Sequence, residues 1–278
     1  MRTGLYQSSN HPAGTLTQNV SAVDLATTCA KNVRLSTGRV RLVVLDVVRG
    51  IAIAGVVLYH LIWDLDFTSL LSSGISWHPA WIWFARTLAG TFMFLVGVNL
   101  VLAHAQVFRL AAFAKRLAVI AFSAATISIV TAFAFPESFI FFGILHAIAV
   151  ASIIGVFFVR VPALLVLVAG ASVVLLSFLI EDELFNTRWL AWIGFAEQPP
   201  TSNDLVPVFP WAGLTLLGIA LTKIGLRQSV DKLLERHEPS GAMARFTAWL
   251  GRYSLAIYLI HQPVLLAVII PTATWLSH

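Results

Sequence analysis

From residue 41 onward the chain is a succession of apolar runs, each about twenty residues long and closed by a short polar or proline-bearing break. A hydrocarbon core about 30 Å thick needs roughly 20 helical residues to cross it, so runs of this length predict membrane-spanning helices. Seven are predicted, over 41–63, 80–104, 116–135, 138–159, 161–180, 207–226 and 252–275. Only Arg160 and its neighbours separate the fourth from the fifth, which calls for a very short turn. The stretch "WLAWIGF" (189–195) is too short to cross and suits an aromatic belt at the membrane interface. "SVDKLLERHEPSG" reads as a short amphipathic helix ended by Pro239 and Gly241. Short alternating segments of the kind a membrane β-barrel needs do not occur. The expected fold class is therefore all-α, a polytopic membrane helix bundle.

Composition supports this pattern. Hydrophobic residues make up 58% of the 278 and charged ones only 11%, with a mean hydropathy of +0.85. A soluble domain has too little interior to bury that much apolar surface. Residues 1–38 are polar and lack a sustained apolar run, so a disordered tail is expected there, with the membrane domain over 39–278. The tail has no secretory h-region, which leaves the first span as the insertion signal. A single cysteine, Cys29, excludes an internal disulfide framework and any multi-thiolate metal site.

The net charge of +5 is not a nucleic-acid signature, because no basic cluster is interleaved with stacking aromatics. It has a membrane explanation instead. Arg34, Arg39, Arg41, Arg109, Lys115, Arg116 and Arg160 fall on one side of the predicted spans, together with the basic residues of 223–252. Glu137, Glu181, Asp182, Glu183, Glu197 and Asp204 fall on the other. By the positive-inside rule the N-terminus is cytoplasmic and the C-terminus lies outside.

Polar residues inside spans are costly and so mark candidate sites. Asp46 and Arg49 stand three apart near the inner end of the first span and can pair, either to anchor the helix or to bind an anion. His60 and Asp64 stand four apart near its outer end, on one helical face. A carboxylate beside a histidine fixes the tautomer and stabilises the imidazolium of a general base; two interfacial residues making interhelical hydrogen bonds would look the same. Asp66, on another face, suits a plain interfacial carboxylate. His78 enters the second span among Trp77, Trp81 and Trp83, as an anchor or a second reactive histidine. Arg86, two turns deeper, is placed to neutralise Asp64 or to hold an anion.

His146 and His261 lie within spans and must face the bundle interior, as packing glue or as cavity lining. No two histidines share a metal-ligand spacing, so no metal is expected. Prolines at 207, 210 and 263 predict breaks in the sixth and seventh spans that could line a cavity, with Trp211 beside them.

The runs "LDVVRGIAIAGVVLYHLIWDL", "GTFMFLVGVNLVLA", "FGILHAIAVASII", "FPWAGLTLLGIAL" and "GRYSLAIYLIHQPVLL" together resemble the heparan-alpha-glucosaminide N-acetyltransferase catalytic-domain family, in its short bacterial form. The resemblance covers about 39–270, with its blocks in order; the LDxxRGxA opening is also similar to the broader membrane acyltransferases that modify envelope polysaccharides. It implies transfer of an acetyl group from cytosolic acetyl-CoA to a sugar amine or hydroxyl across the membrane. His78 looks like the family's catalytic loop histidine. His60 stands where the lysosomal enzyme has an essential asparagine. Arg49, Asp46 and Arg116 are the candidates for the CoA end. Arg86, His146, Trp211 and His261 are candidates for the cavity. The lysosomal enzyme has eleven spans and a lumenal domain, so its acceptor does not carry over. The implied setting is a bacterial inner membrane with a lipid bilayer and an envelope glycan as partners, and a homodimer is one assembly open to such a chain. Two other classes use similar residues: a proton-coupled transporter, and a non-catalytic assembly protein.

Overall fold

The computed structural model describes residues 42–71, 74–104, 107–236 and 239–276. The expected tail over 1–38, with Cys29 and the arginines at 34, 39 and 41, lies outside the described residues. Among the described residues nine α-helices follow in order: α1 Val43–Phe67, α2 Pro79–His104, α3 Leu110–Ala134, α4 Ile144–Phe158, α5 Ala163–Leu176, α6 Val208–Arg227, α7 Val230–Arg236, α8 Ala242–Arg252 and α9 Ser254–Leu276. No strand occurs among the described residues, only isolated bridges at Phe142–Leu205 and Asp182–Ala196.

Seven apolar helices stand where the seven runs predicted them. Five of these, α1, α2, α3, α6 and α9, are long and apolar enough to cross a membrane. The other two are shorter, 15 residues in α4 and 14 in α5, or roughly 22 Å of helix each. The fourth run begins late because Phe139–Phe142 is not helical. This segment runs beside the 203–206 stretch, with Asn203 N–H donating to the Ser138 carbonyl and Val206 N–H to that of Phe142. A short apolar run cannot by periodicity alone be told from a buried extended segment. The turn between α4 and α5 is as tight as expected. It is closed by Lys223, whose ammonium donates to the Val159 and Val161 carbonyls.

Between apolar helices in lipid the hydrophobic effect gives no drive to associate, so close packing and interhelical hydrogen bonds must hold them. Helix α6 sits centrally, packed against α2, α4 and α5. At its crossing with α2, Gly97 faces the Thr215 carbonyl and Gly218 faces that of Phe94, so that neither position has room for a Cβ. The closeness lets Thr215 Oγ1 donate to the Met93 carbonyl at 2.8 Å. Such a bond is worth about 1 kcal/mol. Leu100, Val166, Leu216 and Ile219 fill the space around it.

A second group forms on α1, which packs against α2, α8 and α9. Helix α8 is amphipathic and was not anticipated from the sequence. Its Thr247 and Gly251 lie on the α1 backbone, while Met243, Phe246 and Trp249 are exposed. The predicted proline breaks divide. Helix α6 is kinked at Phe209, just before Pro210. Helix α9 runs without interruption through Pro263 and Pro271, because a proline in a helix removes one backbone donor without forcing the chain to turn.

Candidate active site

The C-terminal half of α1 meets the middle of α9, and four polar side chains converge there: His60 and Asp64 from α1, His261 and Gln262 from α9. Asp64 is fully buried, and its Oδ1 accepts a hydrogen bond of 2.8 Å from Gln262 Nε2. The four-residue spacing on α1 suggested a histidine held by this carboxylate. Asp64 is instead taken by Gln262, and the His60 ring lies against His261, with centroids 4.9 Å apart and planes at 58°. Tyr59 extends the contact on α1, edge-on to His60 and stacked on Trp81 of α2.

Four atoms in this group are buried without a protein partner: His60 Nδ1, Asp64 Oδ2, His261 Nε2 and Gln262 Oε1. Burying a polar atom unpaired costs about 1–3 kcal/mol, and folded proteins keep few such atoms. Four of the seven such atoms among the described residues fall in this one place, which makes it the candidate site.

The polar side chains at the start of α4 are engaged by comparison. Gly143 N–H donates to His146 Nδ1 at 3.2 Å, which requires that nitrogen to be unprotonated. His146 Nε2 then carries the proton and faces Ser128 Oγ at 3.3 Å, while the Ser128 hydroxyl donates to the Ile140 carbonyl. Both ring nitrogens are thus occupied, and His146 fastens the first turn of α4 to α3. Asp204 Oδ2 accepts from Ile144 N–H at 3.0 Å and from the Tyr258 hydroxyl at 3.2 Å. A carboxylate at a helix N-terminus is favourably placed in its dipole. Burial pushes the Asp204 carboxyl above its ordinary range, and the two hydrogen bonds pull it back in part. A Cβ on Gly143 would run into that carboxylate. The FGILH block therefore has a local meaning: the glycine admits Asp204, the isoleucine N–H holds it, and the histidine closes the turn.

The remaining predicted residues are dispersed. His78 is exposed, and its Nδ1 accepts from Ala80 N–H at 3.3 Å, at the start of α2. Asp66, on the last turn of α1, holds the loop leading to it through Gly74 N–H and Ser76 N–H. Arg86 is exposed and lies over the Trp83 ring rather than on Asp64. Trp211 packs in the core with Met93 and Phe142. Asp46 is buried near the N-terminal end of α1, 3.3 Å from Arg49 Nη1 and 3.7 Å from Arg252 Nε. Arg116 is exposed on α3. Among the described residues no cluster of histidine, cysteine and carboxylate side chains could hold a metal ion.

Gln262 and Tyr258 are not among the residues the sequence singles out, while Arg252 and Asp204 enter there only as an inner-side base and an outer-side acid. Gln262 was the most accessible of these, since a polar residue beside a histidine in an apolar span is itself a signal.

Five helices long and apolar enough to cross a membrane, with histidines and a carboxylate buried between two of them, define an integral membrane protein. The comparison with protein families makes the assignment specific: residues 41–263 match the catalytic-domain model of heparan-alpha-glucosaminide N-acetyltransferase, and the chain belongs to that family. Comparison with curated proteins gives no match, and neither does comparison with solved structures.

Proposed function

We propose that the protein transfers an acetyl group from cytosolic acetyl-CoA to a sugar amine or hydroxyl on the outer side of a bacterial inner membrane, with its N-terminus inside. The observation that carries this reading is the meeting of His60 and Asp64 with His261 and Gln262, where buried polar atoms lack protein partners. Acyl transfer from a thioester needs a proton acceptor for the attacking group and donors for the oxyanion. Imidazoles and a carboxamide are suited to both. The orientation rests on the separation of basic from acidic loops.

Asp46 and Arg49 lie fourteen and eleven residues from His60 on the same helix, or roughly 21 Å and 16 Å along its axis. Asp46 holds Arg49 and Arg252 together, and two fixed guanidiniums suit a phosphate-bearing donor. Arg116 would add charge on the same side. The donor's thioester would reach the polar centre between helices, leaving the acceptor to enter from the outer end of α1, past His78. His60 and His78 remain the candidates drawn from the first span and its loop, with Asp64 setting the polarity around them.

The test is acetyl transfer by purified protein in nanodiscs, supplied with acetyl-CoA and a panel of amino sugars and envelope glycans. CoA thiol release that depends on acceptor is expected, and His60→Ala and His78→Ala should each lower it. Transfer that neither substitution alters would remove both residues from the site.

A further inference from the structure

Resting on the acetyltransferase reading, we infer that His261 is the residue that takes the acceptor's proton, and that Tyr258 and Asp204 are its positioning residues. His261 is 9% exposed and sits in the middle of α9. Its Nδ1 lies 2.7 Å from the Tyr258 carbonyl, one turn earlier on the same helix. A carbonyl only accepts, so Nδ1 carries the proton in this contact and the neutral ring presents its lone pair at Nε2. That nitrogen is buried and has no protein partner. Fixing one nitrogen to set the tautomer of the other is the usual way an imidazole is prepared as a base.

The neighbouring imidazoles do not share this preparation. Both nitrogens of His146 are occupied, and His78 is exposed at the start of α2. His60 has no partner at Nδ1, so no hydrogen bond to that nitrogen selects its tautomer.

The position of His261 depends on Tyr258 twice. The carbonyl orients the ring, and the phenol joins α9 to Asp204, which is itself bound to the first turn of α4. The titratable groups around His261 are His60 and Asp64 from α1, Tyr258 on its own helix, and Asp204 beyond Tyr258.

In the step assigned to it, the acceptor's oxygen or nitrogen bonds to the thioester carbonyl carbon as its proton passes to His261 Nε2. The tetrahedral adduct then collapses, the carbon–sulfur bond breaks, and the proton passes from His261 to the departing thiolate. The products are the acetylated acceptor and CoA thiol, and the histidine is left neutral.

Steady-state kinetics across pH for wild type, His261→Ala, His261→Gln, Tyr258→Phe, Asp204→Asn and His60→Ala test this, with thermal midpoints confirming that each is folded. Both His261 variants should lose about 100-fold or more in kcat, keep KM for acetyl-CoA within about threefold, and lose the acid limb of the kcat profile. Tyr258→Phe should lower kcat about tenfold with the acid limb retained, because its backbone carbonyl is unchanged. Asp204→Asn should fall between Tyr258→Phe and wild type. If either folded His261 variant kept kcat within fivefold of wild type, or kept the acid limb, His261 would not be the base. If Tyr258→Phe matched wild type in kcat, the positioning pair would be refuted. A wild-type protein that transfers no acetyl group to any acceptor would overturn the acetyltransferase reading itself, a separate outcome.

Discussion

The two ends of α1 use similar residues in opposite ways. Near the N-terminus, buried Asp46 is bracketed by Arg49 and Arg252, and the helix backbone touches α8 so closely that neither Gly50 nor Gly251 could carry a side chain. Near the C-terminus, buried Asp64 holds a single hydrogen bond from Gln262, and its other oxygen faces no protein donor. The first end satisfies its charge and joins two helices. The second end leaves several polar atoms unmet, at a cost in stability that folded proteins tolerate where substrates bind and react. The lesson is that a carboxylate within an apolar helix is not informative by its presence. What distinguishes the two is the completeness of the hydrogen bonding around them.

That contrast breaks most readily at the crossing of α1 with α8. Gly251→Ala places a Cβ against the Asp46 carbonyl, and backbone cannot yield as a flexible side chain does. A loss of about 3 kcal/mol is expected, measured as a drop in unfolding midpoint in detergent. The folded fraction should retain its kcat. At the other end, Asp64→Ala is expected to lower transfer about 100-fold, equivalent to about 2.7 kcal/mol of barrier. Its unfolding midpoint should change little, since the carboxylate has only one protein partner. If Asp64→Ala proved chiefly destabilising with kcat intact, the two ends would be alike and the comparison would fail.

Asp46→Ala sharpens it from the structural side. Removing the carboxylate leaves two guanidiniums facing each other, which in a fully buried pair costs 3–5 kcal/mol. Arg252 is half exposed, and screening by water reduces the expected loss to about 1–2 kcal/mol. The same variant should raise KM for acetyl-CoA if Arg49 meets the donor.

The smallest effect concerns Asp204. Its carboxyl titrates above the ordinary carboxylate value because burial disfavours the charge. The folded protein therefore holds this proton over a pH range in which the unfolded chain has lost it. The contribution of Asp204 to stability is most favourable below the usual value of about 4 and declines as pH rises through its higher folded value. Asp204→Asn removes that dependence. Relative to wild type, the variant should gain stability as pH rises from about 4 upward, read from midpoints at a series of pH values.

Much of the helical layout was legible in the chain itself. Apolar runs announced the places of α1, α2, α3, α6 and α9, because crossing a membrane demands length and apolarity that leave a direct trace. The shorter α4 was overextended at its start, since Phe139–Phe142 is apolar for a different reason: it lies extended beside 203–206. Helix α8 was missed because it is short, mixed in polarity and follows a loop, while its function depends on two small residues meeting α1. The glycine pairs at Gly97–Gly218 and Gly50–Gly251 were invisible for the same reason, since each crossing needs two positions far apart in the chain.

The candidate site divides along similar lines. Residue type, depth in a span and helical spacing were enough to select His60, Asp64, His146 and His261, because burying such groups in an apolar helix is costly wherever they occur. Which of them act together was decided only in three dimensions. Asp64 bonds to a residue 198 positions away rather than to the histidine one turn before it. His146 has both nitrogens occupied, and His261 has one fixed and one without a protein partner. Local spacing says which side chains share a face, whereas hydrogen bonds are short and directional and go to whatever the neighbouring helix presents. The sequence by itself determined a helical membrane protein of this family and the polar residues it must accommodate. The packing of α9 on α1, and of the 203–206 segment on α4, decided their partners.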